Sequence, residues 1–292
     1  MKLSITRRLA TLGAALVLLL CTAGSAAADD TASLRWSPRW TRFTELQYTM
    51  TAGMAGAVFA SDQWLQAPER PNWRGNILLD GETRSWLVAG SASGRLRADG
   101  ISDVLVFGLV LYPFAIDTLL VTATLHQSYD VAWQMAMIGI QSVLISKLIT
   151  GLTKRFVGRA RPDYSRCEGG DDLACGTTTE SFISGHTSTA FVGAGLICAN
   201  HQNLRLYGSE LAAAITCGAS LTAAATAGTL RIVSDRHHLS DVLAGAAVGL
   251  AAGYLLPNLM NYDFGASATD PGGALMPMIS ERALGLEVAG QF

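Results

Sequence analysis

Two long, strongly apolar stretches, Val104 to Leu125 and Val131 to Leu152, constrain this chain more than anything else in it. Each is longer than the roughly 20 residues that an α-helix needs to cross the hydrocarbon core of a bilayer. Only the polar turn His126-Gln127-Ser128-Tyr129-Asp130 separates them, so they are expected to pack as an antiparallel pair. Further apolar stretches run from Thr187 to Ala199, Leu211 to Leu230 and Leu239 to Leu256. Alanine and glycine are frequent in them, which lets helix backbones approach closely. The expected fold is all-α, a membrane-embedded multi-helix bundle. The weaker hydrophobicity of the last three stretches leaves a soluble helical bundle open as the alternative.

The totals point the same way. Half the residues are apolar and only 15% are charged, with mean hydropathy +0.30. A net charge of -2 argues against a general nucleic-acid binder, which needs a broad basic excess. The N-terminus carries Lys2, Arg7 and Arg8, an apolar run from Leu9 to Cys21, and Ala26-Ala27-Ala28 before Asp29. That is the layout of an export signal over residues 1–28, with an uncleaved anchor as the rival reading. Cys167 and Cys175 share a polar loop that a disulfide could close in an oxidising compartment. Cys198 and Cys217 fall in apolar stretches and read as packed thiols. No cysteine and histidine spacing resembles a zinc site, and neither a metal nor a cofactor is expected.

Residues 29–101 read as an interfacial and polar segment. Trp36, Arg39, Trp40, Arg42 and Phe43 suit either a membrane interface or a loosely packed amphipathic arm. Met50 to Ala60 is apolar but too short to span. Residues 61–101, with Pro68, Pro71 and five arginines, read as a polar connection with short helices. A helical domain is expected over 102–258, closed by Pro257, and a tail over 259–292. In that tail, Leu275 to Ile279 and the alternating Ala283 to Phe292 suggest a small hairpin. Asp117 and Lys147 lie in the two longest stretches at different depths, too far apart to pair. Lys147 is read as snorkelling to the surface or facing the site beneath Lys154.

Three polar stretches between the apolar ones carry the chemistry. In Arg231 to Asp241, His237 and Asp241 are four apart. If a helix runs through both, the carboxylate can take a proton from one imidazole nitrogen and leave the other free as a nucleophile. Arg231, on the preceding turn, brings a guanidinium fork suited to phosphate oxygens. In Lys154 to Pro162, Lys154 and Arg161 are seven apart, two turns of one helix face, and Pro162 marks where that helix stops. In Ser181 to Ser188, Ser184-Gly185-His186 stand at a helix start, where unpaired N–H groups receive a phosphate and His186 can protonate a leaving oxygen. Each stretch alone has a plain reading, as a surface loop, flanking basic residues or a helix cap.

In order and spacing the three stretches resemble the phosphatidic acid phosphatase type 2 superfamily, which also contains bacterial acid phosphatases and vanadium haloperoxidases. Its signature is Lys-x6-Arg-Pro, then Pro-Ser-Gly-His, then Ser-Arg-x5-His-x3-Asp. Here Lys154, Arg161 and Pro162, then Ser184, Gly185 and His186, then Arg231, His237 and Asp241 fill those positions. Ile183 and Leu230 stand where the family has proline and serine. The resemblance covers roughly residues 100 to 257. It implies that His237 attacks phosphorus to form a phosphohistidine, that Asp241 holds its tautomer, and that His186 is the general acid. It further implies that Lys154, Arg161, Arg231 and the Ser184 and Gly185 amides hold the phosphoryl oxygens. His238 lacks the spacing to Asp241 and reads as a neighbour of the site.

The function expected from these residues is a metal-independent phosphatase. Its substrate would be a phosphomonoester or pyrophosphate, such as that of phosphatidate or a polyprenyl carrier lipid, and its partner a bilayer. An exported chain with Met50 to Ala60 not spanning puts the site on the periplasmic side of the inner membrane. The alternatives are a soluble periplasmic acid phosphatase, a vanadate-dependent haloperoxidase, and a non-catalytic lipid-phosphate-binding membrane protein.

Overall fold

The computed structural model describes residues 33–167 and 179–263, and the backbone of 272–280 and 283–290. Trp36, Trp40 and Phe43 are buried, with the Tyr262 ring 5.4 Å from Trp36 and 5.3 Å from Trp40. This stretch therefore clasps the end of the last helix and is not an interface. Its aromatic rings are part of the core, while Arg42 turns outward to Asp130.

Helix α1 (Glu45–Trp64) opens on a capping box between Thr44 and Gln47. Helix α2 (Asp80–Leu87) is short. Helix α3 (Ala92–Leu111) continues without a break through wider, π-type turns to Leu125. The expected boundary at residue 102 thus falls inside a helix. The widening begins at Tyr112, next to Pro113, which has no N–H to give to the preceding turn and crowds its carbonyls. The Thr118, Thr122 and Thr124 hydroxyls then donate to carbonyls five residues back.

Helix α4 (Tyr129–Val157) is the antiparallel partner. After the short α5 (Tyr164–Cys167) come α6 (Gly185–Leu204), α7 (Glu210–Val233) and α8 (Leu239–Leu250). The last rod runs on through wide turns to Tyr262. Pro257 therefore does not close it, because the wide turns around the proline accommodate its ring and missing donor.

Helix α6 is the buried axis, packed against α3, α4, α7 and α8. Small residues make that possible. A methyl group on Gly245 would lie 2.6 Å from the Ser184 carbonyl oxygen, and Gly249 and Gly253 meet the Ser188 and Val192 carbonyls in the same way. Cys198 and Cys217 form a disulfide between α6 and α7, with Cα atoms 4.5 Å apart. They are not the packed thiols that their apolar surroundings suggest, because the two helices bring them face to face.

Four rods, Ala92–Leu125, Tyr129–Val157, Glu210–Val233 and Leu239–Tyr262, are long and apolar enough to cross a membrane. Their outer faces expose Val104, Phe107, Leu119, Trp133 and Leu211. Such a surface suits lipid and not water, which decides against the soluble bundle. Asp117 is fully buried and meets His201 at 3.0 Å, whereas Lys147 is exposed on α4. Strands β1 (Gly272–Ser280) and β2 (Ala283–Gly290) pair antiparallel as the expected hairpin. The expected export signal and Cys175 lie outside the described residues.

Candidate active site

The three polar stretches meet at one end of the bundle, where α4 and α7 finish and α6 and α8 begin. Gly158 ends α4 in the left-handed conformation (φ 58°), its N–H bonded to the Lys154 carbonyl. A side chain there would collide with Asn72 and Pro68, so glycine suits both the turn and the contact. Beyond it the chain is extended, not helical. Lys154 and Arg161 are therefore not two turns apart on one helix, and the turn at Gly158 is what folds Arg161 back into the pocket.

His237 lies before α8, not within it, and is 1% exposed. Its Nδ1 is 2.8 Å from the Ser181 carbonyl oxygen. That oxygen can only accept, so Nδ1 carries the proton and Nε2 the lone pair. Asp241 is 3.7 Å from the same Nδ1, beyond a good hydrogen bond. Its carboxylate is committed elsewhere, to Arg159 Nη1 at 2.5 Å, Ser181 Oγ at 2.6 Å and the His238 amide at 2.9 Å. The tautomer of His237 is thus held directly by Ser181 and only indirectly by Asp241. Burial, aided by the Arg161 and Lys154 charges, holds His237 well below the ordinary histidine pKa and outweighs the pull of Asp241, so the ring is neutral. His238 turns its Nε2 to the Ala160 carbonyl and away from this chemistry.

Ser184 caps α6 through its hydroxyl, which accepts from the Thr187 amide. Its own amide donates to the Asp241 carbonyl at 3.1 Å. The expected Ser184 amide donor is therefore already engaged, and among the described residues the N–H groups left open at this helix start are those of Gly185 and His186. A methyl group on Gly185 would sit 3.4 Å from Lys154 Nζ, so glycine keeps the ammonium close to those amides.

Lys154 and Arg161 form no ion pair with the described residues. Burial and the neighbouring Arg231 and Arg236 push Arg161 down to about 10. Arg231 instead binds Asp99 at 2.5 Å and lies 3.5 Å from Asp103. His186 Nε2 meets Asp103 at 3.0 Å. Burial, then the Arg231 charge, push His186 down to about 4, with Asp103 opposing them. The result is a cationic hollow, two open amides at a helix start, one histidine with a free lone pair and a second on a carboxylate. Such a set can hold a phosphoryl group and attack it.

Five contributors were not foreseen. Asp99 and Asp103 are four apart at the head of an apolar helix, a spacing that could have flagged them. Ser181 opens the Ser181–Ser188 stretch, but only its carbonyl and hydroxyl contacts reveal its part. Arg159 sits inside the Lys154–Pro162 stretch and is fully buried. It bonds Asp241 and Ser240 through Nη1, Asp80 at 2.7 Å and the Gly75 carbonyl through Nη2, and stacks 4.1 Å from the Trp73 ring. Asp80, from α2, also takes the Ser240 amide at 2.9 Å. Burial works against its charge, but the Ile77 and Ser240 amides with Arg159 hold Asp80 below the usual carboxylate pKa.

Residues 135–264 match the PAP2 superfamily model. That stretch is similar to the PAP2 superfamily. The chain is 42% identical over 98 residues to a lipid A 1-phosphatase of Porphyromonas gingivalis, covering 34% of this chain and 18% of that protein. It is 31% identical over 128 residues to a PA-phosphatase related-family protein of Dictyostelium discoideum, covering 42% and 47%. The chain thus spans less than half the length of these relatives. A solved PAP2 type phosphatidylglycerolphosphate phosphatase of Bacillus subtilis aligns with TM-score 0.47 at 16% identity, covering 73% of this chain and 94% of that one. The matched residues include all three stretches, but Trp73, Asp80, Asp99 and Asp103 lie before them.

Proposed function

We propose that this chain is a membrane phosphatase that removes a phosphoryl group from a lipid phosphate through a phosphohistidine on His237. The observation that carries this reading is the neutral His237 with its Nδ1 proton on the Ser181 carbonyl and its Nε2 free. In the first step Nε2 attacks phosphorus, the P–N bond forms and the P–O bond to the leaving group breaks. His186 gives its proton to the departing oxygen. In the second step a water attacks phosphorus, His186 takes a proton from it, and the P–N bond breaks to release phosphate. Lys154, Arg161, Arg231 and the Gly185 and His186 amides offset the charge on the phosphoryl oxygens throughout. A phosphoryl dianion arriving beside His186 favours its protonated form, offsetting the burial that keeps it neutral.

The lipid substrate is supported by the lipid-facing helices and by the names of the relatives. Residues 102–258 are read as the catalytic region. Helix α1 runs the length of α4, from the Arg42–Asp130 pair to the Asp62–Arg155 pair, so residues 33–43 and the site lie at opposite ends of the bundle and an export signal over residues 1–28 does not put the site on the periplasmic face. In detergent and EDTA, the wild type is expected to release phosphate from lipid phosphates. His237→Ala is expected to lose roughly 10³-fold or more in kcat. Pulse labelling is expected to give an acid-labile phosphoprotein in the wild type and none in His237→Ala. Wild-type turnover by that variant would overturn the reading.

A further inference from the structure

The segment between α1 and α3 is tied along its length to the helix ends that frame the site. Its Leu65 carbonyl takes Arg155 Nε at 2.6 Å. The Asn72 amide donates to the Gly158 carbonyl at 2.9 Å. Asp80 locks onto Arg159 and Ser240, Arg84 binds Asp235 at 2.7 Å, and the Ala89 amide meets the Val233 carbonyl at 2.9 Å. Three membrane-length rods, ending at Val157 and Val233 and starting at Leu239, thus terminate beneath this segment. If those rods cross a bilayer, the segment lies at the level of its headgroups.

Among its exposed polar residues the segment also presents large apolar side chains. Leu78 and Trp86 are each 80% exposed, and Leu79, Trp64 and the adjoining Phe156 of α4 are exposed with them. Leu78 has φ 51°, a left-handed conformation unusual for leucine, and this turns the chain between an outward Leu78 and an inward Asp80. Tryptophan and leucine in this position suit the boundary between headgroups and acyl chains, where an indole keeps its N–H wet and its rings dry. On α4, which the segment joins through Leu65 and Arg155, Phe156 and Ile149 are exposed as well.

We infer that residues 64–87 form a lipid-docking arm. Trp64, Leu78, Leu79 and Trp86 enter the headgroup layer, and Asp80 ties that layer's level to the mouth of the site. The occupant is the bilayer in which the protein itself resides. The docking claim rests on the spanning helices, and its consequence for turnover rests on the phosphatase reading.

The test uses the full chain reconstituted in phosphatidylcholine vesicles that contain brominated lipid. Subtracting the emission of Trp86→Phe from that of the wild type isolates Trp86. That difference is expected to be quenched by lipid brominated near the headgroup and spared by aqueous iodide. Quenching by iodide alone, or protection from both in a crosslinked dimer, would overturn docking. In parallel, Leu78→Asp with Leu79→Asp is expected to lower turnover of a vesicle-borne lipid phosphate roughly tenfold or more, with turnover of a water-soluble phosphate ester unchanged. Equal loss on both substrates would mark the arm as structural and overturn the inference. A wild type that hydrolyses neither substrate would refute the phosphatase reading instead, and the quenching would still decide docking.

Discussion

Arg159 offers the sharpest test of how this site is held. Its side chain and those of Asp80 and Asp241 are wholly buried, and one guanidinium serves both carboxylates. Arg159→Ala would leave two carboxylates buried without their cation. Breaking a buried pair in this way costs about 3–5 kcal/mol. At roughly 2–4 °C per kcal/mol for a chain of this size, Tm should fall by about 6–20 °C. Arg159→Lys keeps the charge, but a point ammonium cannot reproduce the fork that reaches Asp241 and Ser240 on one side and Asp80 and Gly75 on the other. It should lose about one charged hydrogen bond, roughly 1.5–3 kcal/mol. Catalysis should suffer beyond stability, because Asp241 fixes Ser181, and Ser181 fixes His237. A misplacement of about 1 Å in such a chain lowers rates on the order of 10²-fold. The loss belongs in kcat, since Lys154, Arg161 and Arg231 still bind the phosphoryl group. Thermal unfolding in detergent and steady-state phosphate release provide both readings. Arg159→Ala with Tm within about 2 °C of wild type and unchanged kcat would refute this account.

Two further predictions follow from other parts of the structure. Asp103 opposes the burial and the Arg231 charge that push His186 down to about 4. In Asp103→Asn the histidine should therefore lose its proton at still lower pH, and the limb of kcat/KM that falls as pH rises through this pKa should move to more acid pH. A limb that stays in place, or moves upward, would exclude His186 as the acid. At the α6–α8 crossing, Gly249→Ala should destabilise by about 1–3 kcal/mol, because its methyl group meets the Ser188 carbonyl. Gly218→Ala, with nothing within 4 Å of its new methyl group, should stabilise by up to about 1 kcal/mol, and thermal unfolding in detergent separates the two.

The helices were legible because hydrophobicity is a local signal. Val104 to Leu125 and Val131 to Leu152 announce themselves, and the observed rods extend them to Ala92–Leu125 and Tyr129–Val157. What resisted reading depends on contacts distant in the chain. Trp36 and Trp40 look interfacial until Tyr262 closes over them. The cysteines at 198 and 217 look inert until α6 and α7 align. Leu78 and Trp86 sit in a segment whose composition is polar, so its exposed apolar edge emerges only once Asp80 is seen to turn inward. Proline misled in the same way at Pro257, where neighbouring wide turns absorb a break that its side chain would otherwise impose.

The candidate site shows why spacing alone located its residues yet misjudged their contacts. Asp241 lies one helical turn after His237 in sequence, which suggests a direct pair. Yet His237 precedes the helix, and the carboxylate turns instead to Arg159, Ser181 and the His238 amide. The Asp241 carbonyl meanwhile takes the Ser184 amide. One residue thereby joins all three stretches: Arg159 beside Arg161, Ser181 and Ser184 before His186, and the loop that carries His237. On this geometry Asp241→Asn should do more than weaken one imidazole contact, because Arg159 would lose a buried anionic partner and the single amide oxygen could not serve both Arg159 and Ser181. The short His-x3-Asp spacing is then best understood as the distance from a histidine in a loop to the third residue of the helix that follows. There the aspartate caps the helix and reaches across to the other two stretches.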